Sequence, residues 1–147
     1  MTLVQPTAQH KHLAHWLSDK VPKKKEFTVA VDGLDNAGKS TLSRFIAWQI
    51  GAPVIETDLL MLPSEGTPKH DIELLTRLIG MRHKMNRPII VVGIFTLQCL
   101  DQAGIKPELL IRVSRKYFTR KGSWPEAFNS YHHQFPRSLQ PDYDFSW

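Results

Sequence analysis

The segment Phe27-Thr-Val-Ala-Val31 does most to limit what this chain can become. Its residues are β-branched or apolar without alternation, and a strand of that kind must be covered on both faces. Pro88 to Val92 repeats the pattern, and Pro53 to Thr57 and Glu108 to Val113 supply two shorter strands. Helical patterns lie between them. Lys39 to Ile50 carries Leu42, Phe45, Ile46 and Ile50 on one side and stops at Gly51. A later helix has Thr67 as its cap, Pro68 at its first position and Ile72, Leu75, Leu78 and Ile79 as its buried stripe. Residues 6 to 20 read as a leading helix ended by Pro22, and Thr96 to Ala103 as a short one. Ser114 caps a helix ending at Arg120 and Lys121, and Ser123 with Glu126 has capping-box spacing for a last helix to Gln134. Met61 to Lys69 reads as loop and Pro141 to Trp147 as a short edge strand. Strands alternating with helices predict parallel pairing, right-handed crossovers and a three-layer α/β domain.

At 147 residues and 16.9 kDa the chain has room for one such domain. The longest apolar stretch, Pro88 to Leu97, is about half the ~20 residues that a membrane-spanning helix needs. The start lacks a basic segment leading into an apolar run, so no secretory leader is expected. The single cysteine, Cys99, excludes an internal disulfide and a cysteine-rich zinc site, and reads as a small core residue. A reducing, cytoplasmic compartment is the expectation. Net charge is 19 − 14 = +5. Lys23, Lys24 and Lys25 read as a solvated linker, whereas Arg112, Arg115, Lys116, Arg120 and Lys121 crowd ten residues without an acid. Such a surface suits nucleic acid, an anionic membrane or a phosphorylated small molecule. With no RNA-binding aromatic signature, zinc pair or helix-turn-helix, nucleic acid is the lesser reading.

Gly33-Leu-Asp-Asn-Ala-Gly-Lys39-Ser40 matches G-x-x-x-x-G-K-[ST] at every fixed position. It lies between an apolar strand and an amphipathic helix, the context its mechanism requires. Phosphates need many donors converging on one concave loop. Glycines let backbone N–H groups turn inward, and the helix start adds about half a positive charge. Lys39 then reaches the β- and γ-phosphates, and the Ser40 hydroxyl holds Mg²⁺. The nucleotide site is read as Gly33, Leu34, Asp35, Asn36, Ala37, Gly38, Lys39, Ser40 and Thr41, with ATP or another nucleoside triphosphate as ligand.

Phe27 to Leu42, FTVAVDGLDNAGKSTL, resembles the opening of P-loop kinases acting on small molecules, and among them uridine kinase-like nucleoside kinases. The likeness extends more loosely to Glu56-Thr57-Asp58, to Pro88 to Ile94 and to the basic segment after Leu109. The resemblance implies a mainly parallel sheet in the order 2-3-1-4, with the C-terminal strand fifth. It implies that Asp58, after the second strand, accepts the proton of the acceptor hydroxyl or orients Mg²⁺, although an aspartate ending a strand also reads as a plain turn residue or helix cap. It also implies that Arg115, ahead of Arg120 and Arg112, neutralises the transferring phosphoryl group. Residues 1–25 then form a helix and basic linker, and about 112–135 a lid-like and C-terminal helical segment, of one domain spanning 1–147.

The third strand departs from this pattern by ending Val91-Val92-Gly93, without an acid. Three functions follow. An ATP-dependent kinase for a hydroxyl-bearing small molecule, a nucleoside among the candidates, leads. A nucleotide-binding module that has lost turnover is second. A regulatory GTPase is third, set back by the absence of N-K-x-D. His10, His12 and His15, and His132 with His133, lack the spacing of a zinc motif. Trp124, Phe128, Tyr131 and Phe135 share a helical face that reads as core.

Overall fold

A strand with five successive buried residues needs a neighbour at each edge and a helical layer on each face, and β1 (Phe27–Asp32) has all four. The computed structural model describes residues 3–115 and 125–147. Its other elements are α1 (Ala8–Lys20), α2 (Lys39–Ile50), β2 (Val54–Glu56), β3 (Met61–Leu62), β4 (Lys69–His70), α3 (Ile72–Lys84), β5 (Pro88–Val92), α4 (Thr96–Gln102), β6 (Leu109–Ser114), α5 (Pro125–Gln134) and β7 (Tyr143–Ser146). Single 3-10 turns occupy Thr57–Leu60 and Pro136–Leu139.

Five strands form one sheet in the order β2-β5-β1-β6-β7, and every pairing is parallel. Two short strands intervene in the chain, so its numbers run 2-5-1-6-7 where the sequence expected 2-3-1-4-5. The register sets Val31 beside Val92 on one flank and Asp32 beside Arg112 on the other.

Side chains alternate across the sheet with period two. Val29, Val31, Ile90, Val92, Ile111 and Phe145 meet Leu13 and Leu17 of α1 and Leu42 and Ile46 of α2. Ala30, Val91 and Leu110 turn the other way, onto Leu75 and Ile79 of α3, Leu100 of α4 and Phe128 and Tyr131 of α5. These are the two cores of a three-layer α/β fold. Cys99 is buried in the second, and its apolar surroundings push its thiol up to about 12.

Three local expectations are corrected. Met61 to Lys69 is not all loop: β3 and β4 pair antiparallel at its two ends, Met61 with His70 and Leu62 with Lys69. Two residue pairs are too few to display a period in sequence. The helix expected after Thr67 and Pro68 starts at Ile72 instead, where Asp71 Oδ1 accepts the Leu74 amide at 3.0 Å. A carboxylate at that position also favours the positive end of the helix. Finally, β6 runs one residue later than expected, through Ser114.

The helix expected between Ser114 and Lys121, with Arg120, Ser123 and Trp124, lies outside the described residues. In the aromatic stripe, Phe128 and Tyr131 are core residues and Phe135 packs on them.

The C-terminal strand is a full member of the sheet. Asp142 exchanges hydrogen bonds with Leu110, accepting its N–H at Oδ2 (2.8 Å) and donating its own N–H to the Leu110 carbonyl (2.8 Å). Phe145 is wholly buried in the first core. We expect Phe145→Ala to lower stability by about 3–5 kcal/mol, as truncation of a buried aromatic does. Urea titration measures this, and a loss below about 1 kcal/mol would mean that the β7 edge is not part of the cooperative fold.

Candidate active site

The C-terminal ends of β1, β5 and β2 open on the same side of the sheet, where ligands bind in open α/β folds. The Gly33–Ser40 loop rises there from β1 and enters α2. Its turn requires left-handed backbone at Asn36 (φ 59°) and Gly38 (φ 83°). At Gly38 a side chain is excluded twice, by the conformation and by the Trp147 indole, whose Nε1 occupies the space a Cβ would need. Trp147 itself is fixed by a 3.0 Å hydrogen bond from its N–H to the Ser114 carbonyl. The aromatic end of the chain thus backs the loop.

Lys39 is only 6% exposed. Its Nζ turns into the loop and donates to the Leu34 carbonyl at 2.5 Å. Burial pulls its pKa below the ordinary lysine value, while the charges of Asp32, Asp58 and Asp35 act in the opposite direction. One ammonium is therefore within electrostatic reach of three carboxylates: Asp32 at the end of β1, Asp35 in the loop and Asp58 in the turn after β2. Ser40 follows it in the first turn of α2, half-buried, and Thr41 is exposed.

Asp58 is exposed and sits in the 3-10 turn after β2 rather than on the strand itself. Its Oδ1 lies 3.3 Å from where a Cβ on Gly93 would stand, over the end of β5. Position 93, just past β5, has no room for an acid. Thr57 is fully buried, donates its hydroxyl to the Val92 carbonyl (3.2 Å) and fills the space of any side chain at position 93. The carboxylate next to this strand end comes from the neighbouring strand instead. His70 of β4 is half-buried, and burial lowers its pKa while Asp58 opposes the shift. The Glu56 carboxylate receives Arg44 NH2 at 2.9 Å through both oxygens, linking β2 to α2.

Oxygen donors of the Asp58 and Ser40 kind suit a hard divalent cation such as Mg²⁺. An exposed carboxylate keeps room for the waters that this ion retains.

Arg112 goes to an acid and not to the loop: its NH2 donates to Asp144 on β7 at 3.1 Å. Arg115 follows β6 with its guanidinium 5.9 Å from the centre of the Trp147 ring, close to Gly38. Arg120 lies outside the described residues.

Two features escaped the sequence reading. Asp32, the last residue of β1, is 2% exposed and accepts the Tyr131 hydroxyl at 2.6 Å through Oδ2. The Tyr131 hydroxyl in turn accepts the Leu97 amide at 3.2 Å. Desolvation raises the Asp32 pKa against the lowering effects of Tyr131, the Gly33 amide and Lys39. Second, a cavity of about 600 Å³ opens beside this pair, lined by Thr67, Phe95, Gln98, Glu126, Ser130 and Tyr131 among others. Phe95 holds a left-handed conformation (φ 53°) at the start of α4, its ring 4.5 Å from Phe128. Only the side-chain chemistry of positions 32 and 131 hinted at the pair, since nothing local connects them.

No protein-family model and no curated protein matches the chain. Solved structures do. A structure described as a possible uridine kinase from Bacillus stearothermophilus superposes with a TM-score of 0.66 at 14% identity, covering 93% of this chain and 97% of that one. A sugar kinase from Janibacter sp. HTCC2649 gives 0.52 at 17% identity, covering 86% and 85%. The chain shares with these structures an α/β fold, here built on an all-parallel five-stranded sheet.

The Thr57–Gly93 contact is testable. Gly93→Ala should destabilise the protein, because the new methyl meets a buried hydroxyl in a close-packed layer, at a cost of about 1–3 kcal/mol. Adding Thr57→Ala should return part of that loss. A double-mutant cycle by thermal denaturation measures the coupling, and strict additivity would contradict the contact.

Proposed function

We propose that the protein binds Mg-ATP, or another nucleoside triphosphate, at Gly33 to Thr41 and transfers its γ-phosphate to a hydroxyl of a small molecule. The observation that carries this reading is the gathering of the buried Lys39, the Gly33–Ser40 loop and Asp58 at the open strand ends of a kinase fold. Phosphoryl transfer asks little covalent chemistry of the protein. It asks for an in-line acceptor, neutralised charge and exclusion of water.

In this reading the backbone amides of Gly33, Leu34, Asp35, Asn36, Ala37 and Gly38 cradle phosphate, and Lys39 leaves the Leu34 carbonyl for the β- and γ-phosphates. Ser40 and Asp58 hold Mg²⁺, which when bound would offset the charge between those phosphates. Arg115 neutralises the transferring group from the end of β6. Asp58 serves as metal-orienting group or as proton acceptor. The 600 Å³ cavity, with aromatic and neutral polar walls, takes the acceptor, for which a nucleoside or a sugar is a fitting size and chemistry. Residues 1–147 act as one domain, and the cytoplasm is the compartment we assign. No helix among the described residues is long and apolar enough to cross a membrane.

A second reading has one observation in its favour. With position 93 closed to any side chain, a metal-directing acid on β5 is missing, so a nucleotide-binding module without turnover shares the same loop.

Isothermal calorimetry with millimolar Mg-ATP tests binding, and no heat together with no thermal shift would end both readings. Lys39→Ala should weaken binding by about 1.5–3 kcal/mol, the worth of a charge-assisted contact, and leave the protein folded.

Turnover against nucleosides and sugars separates the two readings. Asp58→Asn should lower it by about 10²–10⁴-fold with far less effect on ATP affinity, and unchanged turnover would remove Asp58 from the mechanism.

A further inference from the structure

A buried carboxylate is retained at a cost, and Asp32, although eased by the Tyr131 hydroxyl and the Gly33 amide, is buried with one oxygen left over. Oδ2 takes the Tyr131 hydroxyl, while Oδ1, equally shut from solvent, has no hydrogen-bond partner among the described residues. A structural role would satisfy both oxygens. A cation stands ready across the sheet, since Arg112 is the register partner of Asp32, yet its guanidinium is given to Asp144. The orphan oxygen also lies on a meaningful line. On one side Tyr131 both holds Asp32 and lines the 600 Å³ cavity, and on the other Asp32 acts directly on the charge of Lys39. Asp32 is thus linked to the cavity wall through Tyr131 and to Lys39 through charge, and phosphoryl transfer must join these two places.

We propose that Asp32, rather than Asp58, accepts the proton of the acceptor hydroxyl through Oδ1, with Tyr131 as the residue that positions it. The inference rests on the kinase reading above and assigns the roles which that reading left shared. Asp58, exposed over the end of β5, keeps the metal and its waters.

The step balances as follows. Lys39 turns from the Leu34 carbonyl to the phosphates, and an acceptor hydroxyl entering from the cavity hydrogen-bonds to Oδ1. Its oxygen forms the new bond to the γ-phosphorus as the bond to the bridging oxygen of ADP breaks, and its proton passes to Oδ1. Product release returns that proton to solvent. Tyr131, whose burial and carboxylate neighbour keep its phenol protonated, leaves Oδ1 as the accepting atom by occupying Oδ2.

The test uses the full chain and Mg-ATP, with uridine, cytidine, ribose and glucose as acceptors and water in their absence. Wild-type phosphotransfer or ATP hydrolysis is read beside Asp32→Asn, Asp58→Asn and Tyr131→Phe. Asp32→Asn should lower kcat by about 10²–10⁴-fold, leave KM for ATP and the Mg²⁺ requirement near wild type, and raise Tm by a few degrees. Loss of activity with gain of stability is the mark of a buried charge kept for function. The loss in Asp58→Asn should instead shrink as Mg²⁺ is raised, whereas the loss in Asp32→Asn should not respond to Mg²⁺. Tyr131→Phe should reduce kcat about tenfold with little change in KM for ATP.

Turnover of Asp32→Asn within threefold of wild type would overturn the proposal and leave the kinase intact. So would a fall in Tm for Asp32→Asn, which would make the carboxylate a structural partner of Tyr131. Unchanged kcat in Tyr131→Phe would remove its positioning role. Mg-ATP binding without wild-type turnover on any acceptor or water would instead take down the kinase reading, and this inference with it.

Discussion

Parallel hydrogen bonding of β1 to a strand at each edge is the constraint on which the rest depends. Held by β5 from Phe27 to Val31 and by β6 from Val29 to Asp32, β1 has no freedom to twist away from the sheet. Its last residue must therefore emerge at the crevice with the ends of its neighbours. From that single placement come the entry angle of the Gly33–Ser40 loop, the start of α2 at Lys39 and the proximity of Asp58. The two apolar cores serve this arrangement by clamping the sheet between α1 with α2 and α3 with α4 and α5. The loop rests on a rigid strand end and on Trp147, so little ordering is left for a bound ligand to impose.

The electrostatics of the crevice have an unusual composition for a site that would hold polyphosphate. Lys39 meets Asp32, Asp58 and Asp35, and burial weakens its hold on a proton despite them. An anion entering the loop gives the ammonium a better partner than a backbone carbonyl. It also separates that ammonium from the carboxylates it screens, leaving them with less compensating charge. Arg112 cannot supply that charge while its guanidinium is committed to Asp144.

Much of this was legible in the sequence because the signals were local. The unbroken apolar run at Phe27 reported a strand covered on both faces, and the glycines and lysine that follow it reported the loop by spacing alone. Asp58 was legible by its place after a strand. What the sequence concealed depends on contacts between distant positions. Tyr131 lies 99 residues from Asp32, so a helical aromatic that reads as core is also the anchor of a carboxylate. The missing acid on β5 read as a deficiency, whereas at position 93, just past it, the Thr57 hydroxyl leaves no room for one. Arg112 within an apolar strand could go to ligand or to acid, and only the arrival of β7 decides between them. The two-residue strands β3 and β4 carry too little pattern to be read at all.

The central place of β1 also bears on how the chain reaches this structure. β1 comes first among the strands, but its two partners begin at Pro88 and Leu109, so both of its edges stay unpaired until the second half of the chain has joined them. Non-local parallel pairing of this kind is slow to form, and an apolar segment with open edges is a template for another chain meanwhile. Just before it, separated from it by Glu26, stand Lys23, Lys24 and Lys25, which remain exposed in the finished fold. A block of like charge at that boundary acts as a gatekeeper, because stacking identical segments side by side would bring the lysines of successive chains together. The basic run that reads as a plain linker would thus set like charge beside an apolar strand during the interval before its neighbours arrive.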